Sequence, residues 1–348
     1  MTCKHRFYFR VDSSLKLGMG HVMRCLVLAK ALRRRGADCI FLSAPLFGNV
    51  IHIIVQNQFK VVELSVEGGD VSNLEIDWKT DAFQVSSILK NKDFDWLIVD
   101  HYELDYRWEK GLSIGNKKIF VIDDISDRTH YCGAILNNSL NARQIVYPKS
   151  IKKFLGPAFT LVGEELTSRT LIARNSKKVL NILVAFGAAD FFGQCEKVIR
   201  ALKKIENIKA HVIIGKCHVD EGVLLSCSDE NVYVETFTNR MQELMRWADL
   251  GIGTCGQMAW ERCIEGLPAI VVINTPSQEA ETLELDRIGV VKCLGYAKEV
   301  ESEDWHTAIN AIMENPKEVR SLSKKAQYLA SCFRGGLTTL ISFLLPSS

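Results

Sequence analysis

Two short runs constrain this chain more than anything else in it. Trp96–Asp100 (WLIVD) and Ile119–Asp123 (IFVID) are apolar until a terminal Asp. Runs without polar alternation, separated by helical stretches, predict buried parallel strands joined by helical crossovers. The neighbouring segments keep the same rhythm. Arg6–Asp12 (RFYFRVD) is rich in aromatic and β-branched residues and reads as a strand. His21–Arg35 carries Val22, Leu26, Ala29 and Leu32 near helical spacing, and Gly36 suits the position after its end. Cys39–Ser43 reads as a strand, Ile51–Gln56 as a helix and Lys60–Leu64 as extended. Between Asp124 and Gly156 only short strands are expected.

A second series follows a polar stretch, Glu164–Lys178 (EELTSRTLIARNSKK), which is the expected linker. Strands are predicted at 180–186, 210–215, 232–235, 250–253 and 269–273. Helices are predicted at 193–204, 240–247, 257–265, 302–314 and 317–331. The fold class expected is therefore α/β, with two doubly wound, Rossmann-like domains over residues 1–165 and 166–348. The last helix is expected to pack back on the first domain, and the carboxyl ends of both strand sets to face a cleft. A length of 348 residues accommodates two cores of ordinary size.

Composition excludes several classes. With 47% hydrophobic and 24% charged residues the chain is neither disordered nor low in complexity. Its net charge of +2 does not describe a nucleic-acid binder. No 18-residue apolar run predicts a membrane span, and no signal-peptide core precedes Phe7. The 11 cysteines form no C-x-x-C pair, so they read as buried apolar side chains in a reducing cytoplasm. Positive charge concentrates near the start: Lys4 to Arg35 holds nine Lys/Arg and one acid, Asp12. An anionic ligand nearby would use this charge. Arg33, Arg34 and Arg35 also suit a helix C-terminus for electrostatic reasons.

Two glycine-rich turns carry the candidate chemistry. Asp12-Ser-Ser-Leu-Lys-Leu-Gly18-Met-Gly20-His21 joins the first strand to the first helix. Glycines allow close backbone approach, and the helix start presents unpaired N–H groups. The positive end of the helix disfavours an imidazolium at His21, as a general base requires. Spacing alone leaves a polar cap or an exposed loop histidine open. The second turn, Gly251-Ile-Gly-Thr-Cys-Gly256, leads into Gln257-Met-Ala-Trp-Glu261 and would cradle a diphosphate. Glu261, one turn into the helix, could accept ribose hydroxyls or could be a first-turn acid favoured by the dipole. Phe186-Gly-Ala-Ala-Asp190 is a third strand-end turn.

These motifs resemble those of the UDP-2,4-diacetamido-2,4,6-trideoxy-β-L-altropyranose hydrolases of pseudaminic acid biosynthesis. The pattern of Asp12, Gly18, Gly20, His21, Arg24 and Cys25 carries the resemblance. VDHYELDYRWE (Asp100, Tyr102, Trp108, Glu109), IDDISDR (Asp123, Asp124, Arg128), FLGPAF (Gly156, Pro157), NRMQELMRWADLGIG and WERCIEGLP extend it. The resemblance implies the two-domain glycosyltransferase-B (GT-B) fold, similar to that of the transferase that makes lipid II. It implies that His21 activates water for inverting attack on the anomeric carbon. It also implies that Glu261 holds the ribose, that backbone near Met241 recognises uracil, and that Tyr102 lies near the sugar. No metal or cofactor is implied, and the expected partner is a UDP-sugar. Asp12, Gly18, Gly20, Arg24, Gly256, Gln257, Met258, Ser277 and Gln278 complete the expected substrate-binding set.

The chain departs from the family pattern at several places. Gly187-Ala188-Ala189-Asp190 replaces G-G-x-D. Cys255-Gly256-Gln257-Met258 replaces a glycine followed by Ser or Thr. Ser277-Gln278 stands where the family has Asn-Gln, and Phe333-Arg-Gly-Gly336 reduces a longer tail motif. A GT-B transferase and a non-catalytic UDP-sugar-binding protein are the competing expectations.

Overall fold

A computed structural model describes residues 5–66, 77–112, 114–115, 118–163, 179–187, 190–215 and 221–346. The chain forms two compact units. One comprises Met1–Gly163 with Gly335–Ser348, the other Glu164–Arg334. The expected linker at 164–178 lies outside the described residues, as do Ala188 and Ala189.

The first unit holds a seven-stranded sheet ordered β3-β2-β1-β4-β5-β6-β7. Its strands are β1 (Arg6–Val11), β2 (Asp38–Ser43), β3 (Lys60–Glu63), β4 (Trp96–Asp100), β5 (Ile119–Ile122), β6 (Ala134–Asn137) and β7 (Lys152–Leu155). All pair in parallel. β4 and β5 are the two apolar runs, and Leu97, Ile98, Val99, Phe120, Val121 and Ile122 are all buried. The order reverses between β1 and β4, the place where doubly wound sheets bind ligands at their carboxyl edge.

Helix α1 (Gly20–Arg34) follows β1 and ends with Gly36 at φ +87°. Arg33 does more than suit the helix end. It donates to Asn57 O at 2.9 Å and lies 4.1 Å from the centre of the Phe59 ring, tying α1 to the turn before β3. After α2 (Ile51–Gln56) follow two helices whose bounds the sequence does not predict, α3 (Trp78–Leu89) and α4 (Tyr106–Gly111), the latter in the helical stretch expected between WLIVD and IFVID. Each starts on an aspartate cap. Asp77 accepts from Lys79 N and Thr80 N, and Asp105 accepts from Arg107 N. Such caps contribute about 1 kcal/mol each.

The second unit holds a six-stranded parallel sheet ordered β10-β9-β8-β11-β12-β13. Its strands are β8 (Leu180–Ala185), β9 (Ile208–Ile214), β10 (Val232–Thr236), β11 (Leu250–Thr254), β12 (Ala269–Ile273) and β13 (Lys292–Tyr296). Its helices are α5 (Gln194–Leu202), α6 (Glu221–Ser226), α7 (Met241–Trp247), α8 (Gln257–Ile264), α9 (Pro276–Arg287), α10 (Ser302–Glu314) and α11 (Pro316–Ser331). Trp305 of α10 is fully buried against Phe186 and donates to Gln194 Oε1 at 2.7 Å.

The final helix, α12 (Gly336–Leu344), belongs to the first unit. Phe343 packs its ring 5.4 Å from Trp96 and 5.1 Å from Phe154. Gly336 is required there, because a Cβ would come within 1.6 Å of Ala158 O. Among the described residues no helix is long and apolar enough to cross a membrane. Cys25, Cys39, Cys132, Cys195, Cys255 and Cys263 are buried, but Cys227 and Cys293 are only half-buried. Cys332 is exposed, so the expectation of a uniformly buried set fails there.

Candidate functional site

The carboxyl edge of the first sheet gathers charged side chains at the strand ends. His21 is the second residue of α1 and is 5% exposed. Its Nδ1 lies 2.6 Å from Oδ1 of Asp100, the last residue of β4. β1 and β4 are neighbours, which is why residues 79 positions apart meet. An ionised carboxylate only accepts, so His21 donates through Nδ1–H. Nε2, for which no partner occurs among the described residues, then carries the lone pair in the neutral ring.

Asp100 is buried and its carboxylate is fully used. Arg24 Nε donates to Oδ2 and Nη2 to Oδ1, both at 2.6 Å. Burial alone would push this carboxyl up. The Arg24 guanidinium, then the His21 ring, outweigh it and hold Asp100 well below the usual carboxylate range. Arg24 also binds Asp124, and Tyr102 OH donates to Asp124 Oδ1 at 3.1 Å. The Tyr102 ring stands edge-on to His21, centroids 4.3 Å apart. His21, Arg24, Asp100, Tyr102 and Asp124 therefore form one connected group.

Asp12 is fully buried and belongs to a different set of contacts. It accepts from Arg10 Nη1 at 2.6 Å, Arg10 Nη2 at 2.8 Å and Ala44 N at 2.7 Å, and lies 3.3 Å from His101 Nε2. Arg10 is held on its other side by Asp81, which also accepts from Trp108 Nε1 at 2.8 Å. Asp12 thus has its oxygens committed inside the protein, as Arg24 has its guanidinium. Gly18 (φ +72°) closes the turn after β1 by donating to Ser14 O at 2.9 Å, and Gly20 opens α1.

A second network fixes the loop after β5. His130 Nδ1 sits 2.6 Å from Glu109 Oε1 and Nε2 3.2 Å from Asp123 Oδ2. Burial would lower the His130 pKa, but the two carboxylates raise it to about 9. Asp123 also caps Ile125 N and Ser126 N and lies 3.3 Å from Arg128. Trp108, Glu109, Asp123 and Arg128 therefore hold the scaffold. Gly156, at φ +98°, allows the turn into Pro157–Phe159.

In the second unit the turn after β11 is built differently from the expected cradle. Gly251 and Gly253 lie inside β11. A Cβ on Gly251 would press on Arg262 Cδ at 3.0 Å, and one on Gly253 would strike Ala185 O at 2.0 Å. These two glycines make room for protein, and only Gly256, the residue before α8, stands at the helix start. No side chain caps that end. Glu261 lies on α8, and its carboxylate makes no hydrogen bond among the described residues. Desolvation raises its carboxyl to about 7, moderated by Arg262. Gln278 on α9 reaches the same turn, with Nε2 3.6 Å from where a Gly256 Cβ would stand. Its buried Oε1 has no partner among the described residues. Ser277 is exposed and hydrogen-bonds Thr275 at 2.9 Å.

Met241 opens α7, and both Met241 and Met258 pack on the cluster of Leu183, Ala185, Leu244 and Leu267. Met241 and Met258 thus share one cluster, and Gln278 meets Gly256 at the start of the helix that also carries Gln257, Met258 and Glu261. Asp190 caps α5, accepting from Gln194 N at 2.8 Å and Cys195 N at 2.6 Å. Sequence reasoning missed Asp100 as the partner of His21. Its signal was the strand-terminal Asp of WLIVD. Asp81 and His130 carried no such signal.

Residues 181–333 match the Glycosyltransferase family 28 C-terminal domain. An uncharacterised protein of Methanocaldococcus jannaschii is 25% identical over 282 residues, 77% of this chain and 55% of that protein. The UDP-2,4-diacetamido-2,4,6-trideoxy-β-L-altropyranose hydrolase of Campylobacter jejuni is 29% identical over 188 residues, 52% of this chain and 60% of that protein. The chain thus spans somewhat over half the length of the curated relatives it matches. The crystal structure of Acinetobacter baumannii MurG superimposes with a TM-score of 0.66 at 16% identity, covering 99% of this chain and 100% of MurG. The chain has a GT-B-like fold, two parallel-sheet α/β units, and the match to the family 28 C-terminal domain falls in the second.

Proposed function

We propose that the chain hydrolyses a UDP-sugar, releasing UDP and a free 2,4-diacetamido-2,4,6-trideoxyhexose with inversion at the anomeric carbon. The observation that carries this reading is His21. It is held through Nδ1 by a buried, ionised Asp100, and its Nε2 has no partner among the described residues. An imidazole so oriented can take a proton from water, a contribution of about 10²–10⁴-fold in rate. UDP is a good leaving group, so no strong acid need stand opposite. The uncapped start of α8 suits the diphosphate charge that grows as the bond breaks. The Glu261 carboxylate, without a hydrogen bond among the described residues, suits two ribose hydroxyls. The likeness to the Campylobacter jejuni hydrolase supports the choice of sugar.

The family 28 domain favours a second reading, transfer of the sugar to an acceptor other than water. One experiment separates the two. The chain is incubated with a panel of UDP-diacetamido-trideoxyhexoses, with and without candidate acceptors, and UDP is followed by chromatography. Release in water alone, lost in His21→Ala while UDP still binds, is the expected result. Release only with acceptor establishes transfer. Near-normal turnover by His21→Ala removes His21 as the base.

A further inference from the structure

Among the described residues three arginines are deeply buried, and they differ in one respect. Arg10 is held by Asp12 and Asp81, and Arg24 by Asp100 and Asp124. Arg262, 4% exposed, has no carboxylate within ion-pair distance among the described residues. Its stem lies along β11, beside the bare Cα atoms of Gly251 and Gly253, so the head travels toward the carboxyl end of the strand. There Nη2 donates to Thr254 O at 2.5 Å, while Nε has no partner among the described residues. A buried cation left unpaired is costly, and proteins ordinarily neutralise it.

We propose that Arg262 is a positioning residue for the diphosphate of a nucleoside diphosphate, its charge being neutralised by the ligand's phosphates instead of a protein carboxylate. This rests on the nucleotide reading above and deepens it. Three observations converge at one turn. The α8 start is uncapped, Gln278 presents a buried oxygen without a partner beside Gly256, and the Arg262 head lies under the preceding residues. The hydrogen bond to Thr254 O also polarises the Thr254–Cys255 peptide, the first of the turn. Burial draws the guanidinium pKa down, outweighing the opposing pull of Cys255, Cys263 and Glu261, the reverse of Arg10 and Arg24, whose ion-paired carboxylates outweigh burial. The glycines of β11 acquire a purpose in this arrangement, since Gly251 admits the Arg262 stem.

The test is calorimetric titration of the full chain with UDP and with uridine, which lacks the phosphates. Arg262→Met is expected to weaken UDP at least tenfold, about 1.4 kcal/mol, and uridine less than twofold. Arg262→Lys, which keeps the charge, is expected to retain at least a third of the UDP affinity. Gly251→Ala leaves Arg262 in place but presses on its Cδ, and is expected to lower the UDP-to-uridine affinity ratio severalfold. It carries the test if Arg262→Met does not fold. Unchanged UDP affinity in Arg262→Met, or equal weakening of UDP and uridine, overturns the proposal. A folded wild-type chain that binds neither ligand overturns the nucleotide reading itself, and this assignment with it.

Discussion

Replacing Asp100 by Asn removes a charge at almost constant volume and leaves a donor set that one amide cannot satisfy. The side chain is 1% exposed and serves three nitrogen donors, His21 Nδ1, Arg24 Nη2 and Arg24 Nε, each at 2.6 Å, besides the weaker Cys25 Sγ–H at 3.6 Å. An amide has one accepting end. With its oxygen toward His21, its NH₂ meets Arg24 Nε, donor against donor. Turned over, it donates to His21 Nδ1 and drives the ring proton to Nε2, the tautomer that cannot act as a base. Either orientation breaks part of a buried charge pair. The structural cost is about 3 kcal/mol, the low end for such losses, because Asp124 still neutralises Arg24. For turnover the loss is that of the oriented base, about 10²–10⁴-fold in kcat, or roughly 3–5 kcal/mol on the barrier. The assay is UDP release from the sugar nucleotide that wild type turns over, with UDP affinity measured in parallel. UDP binding is expected to stay within twofold. A kcat within fivefold of wild type would refute the claim that Asp100 orients the base.

Two further expectations concern the scaffold. His130 has its pKa raised from 6.5 to about 9 in the folded chain, so its contribution is complete below pH 6.5 and is lost as pH rises through 9. The magnitude is about 3 kcal/mol; chemical unfolding between pH 6 and 10 should show it in wild type, and an identical pH slope in His130→Asn would exclude it. Gly336→Ala places a methyl against Ala158 O and is expected to destabilise the first unit by roughly 1–3 kcal/mol. Hydrogen exchange in β4 and β7 reads this effect, and unchanged protection there would count against the close approach.

The alternation of buried strands and helices was legible because parallel strands have no polar face to hide. WLIVD coincides with β4, and AIVVI with β12, residue for residue. What escaped were elements whose signals are local and polar. α3 and α4 announce themselves only by the caps Asp77 and Asp105, and α9 by Pro276 at its start. β6 and β7 are the short strands expected between Asp124 and Gly156, but at four residues each they are too short for a period to fix their bounds. The site shows the same limit. His21 and Glu261 stood out beside glycine turns. The partner of His21 depends on strand order, which places Asp100 beside it although Asp12 is nearer in sequence. Glycine was also ambiguous: Gly256 opens a helix, whereas Gly251 and Gly253 yield space to an arginine stem and a carbonyl.

The first unit is discontinuous in sequence, and that affects how it can form during synthesis. Residues up to 163 leave the ribosome with Trp96 and Phe154 still awaiting Phe343 of α12. At roughly 5–20 residues per second, the wait lasts on the order of ten seconds or more. The second unit, Glu164–Arg334, is continuous and needs nothing made after it. The half that begins first therefore finishes last, and the apolar surface around Trp96 and Phe154 stays uncovered while the other half folds. A nascent chain stalled before residue 336 should present that apolar surface to chaperones, and the nine residues of α12 are what withdraw it.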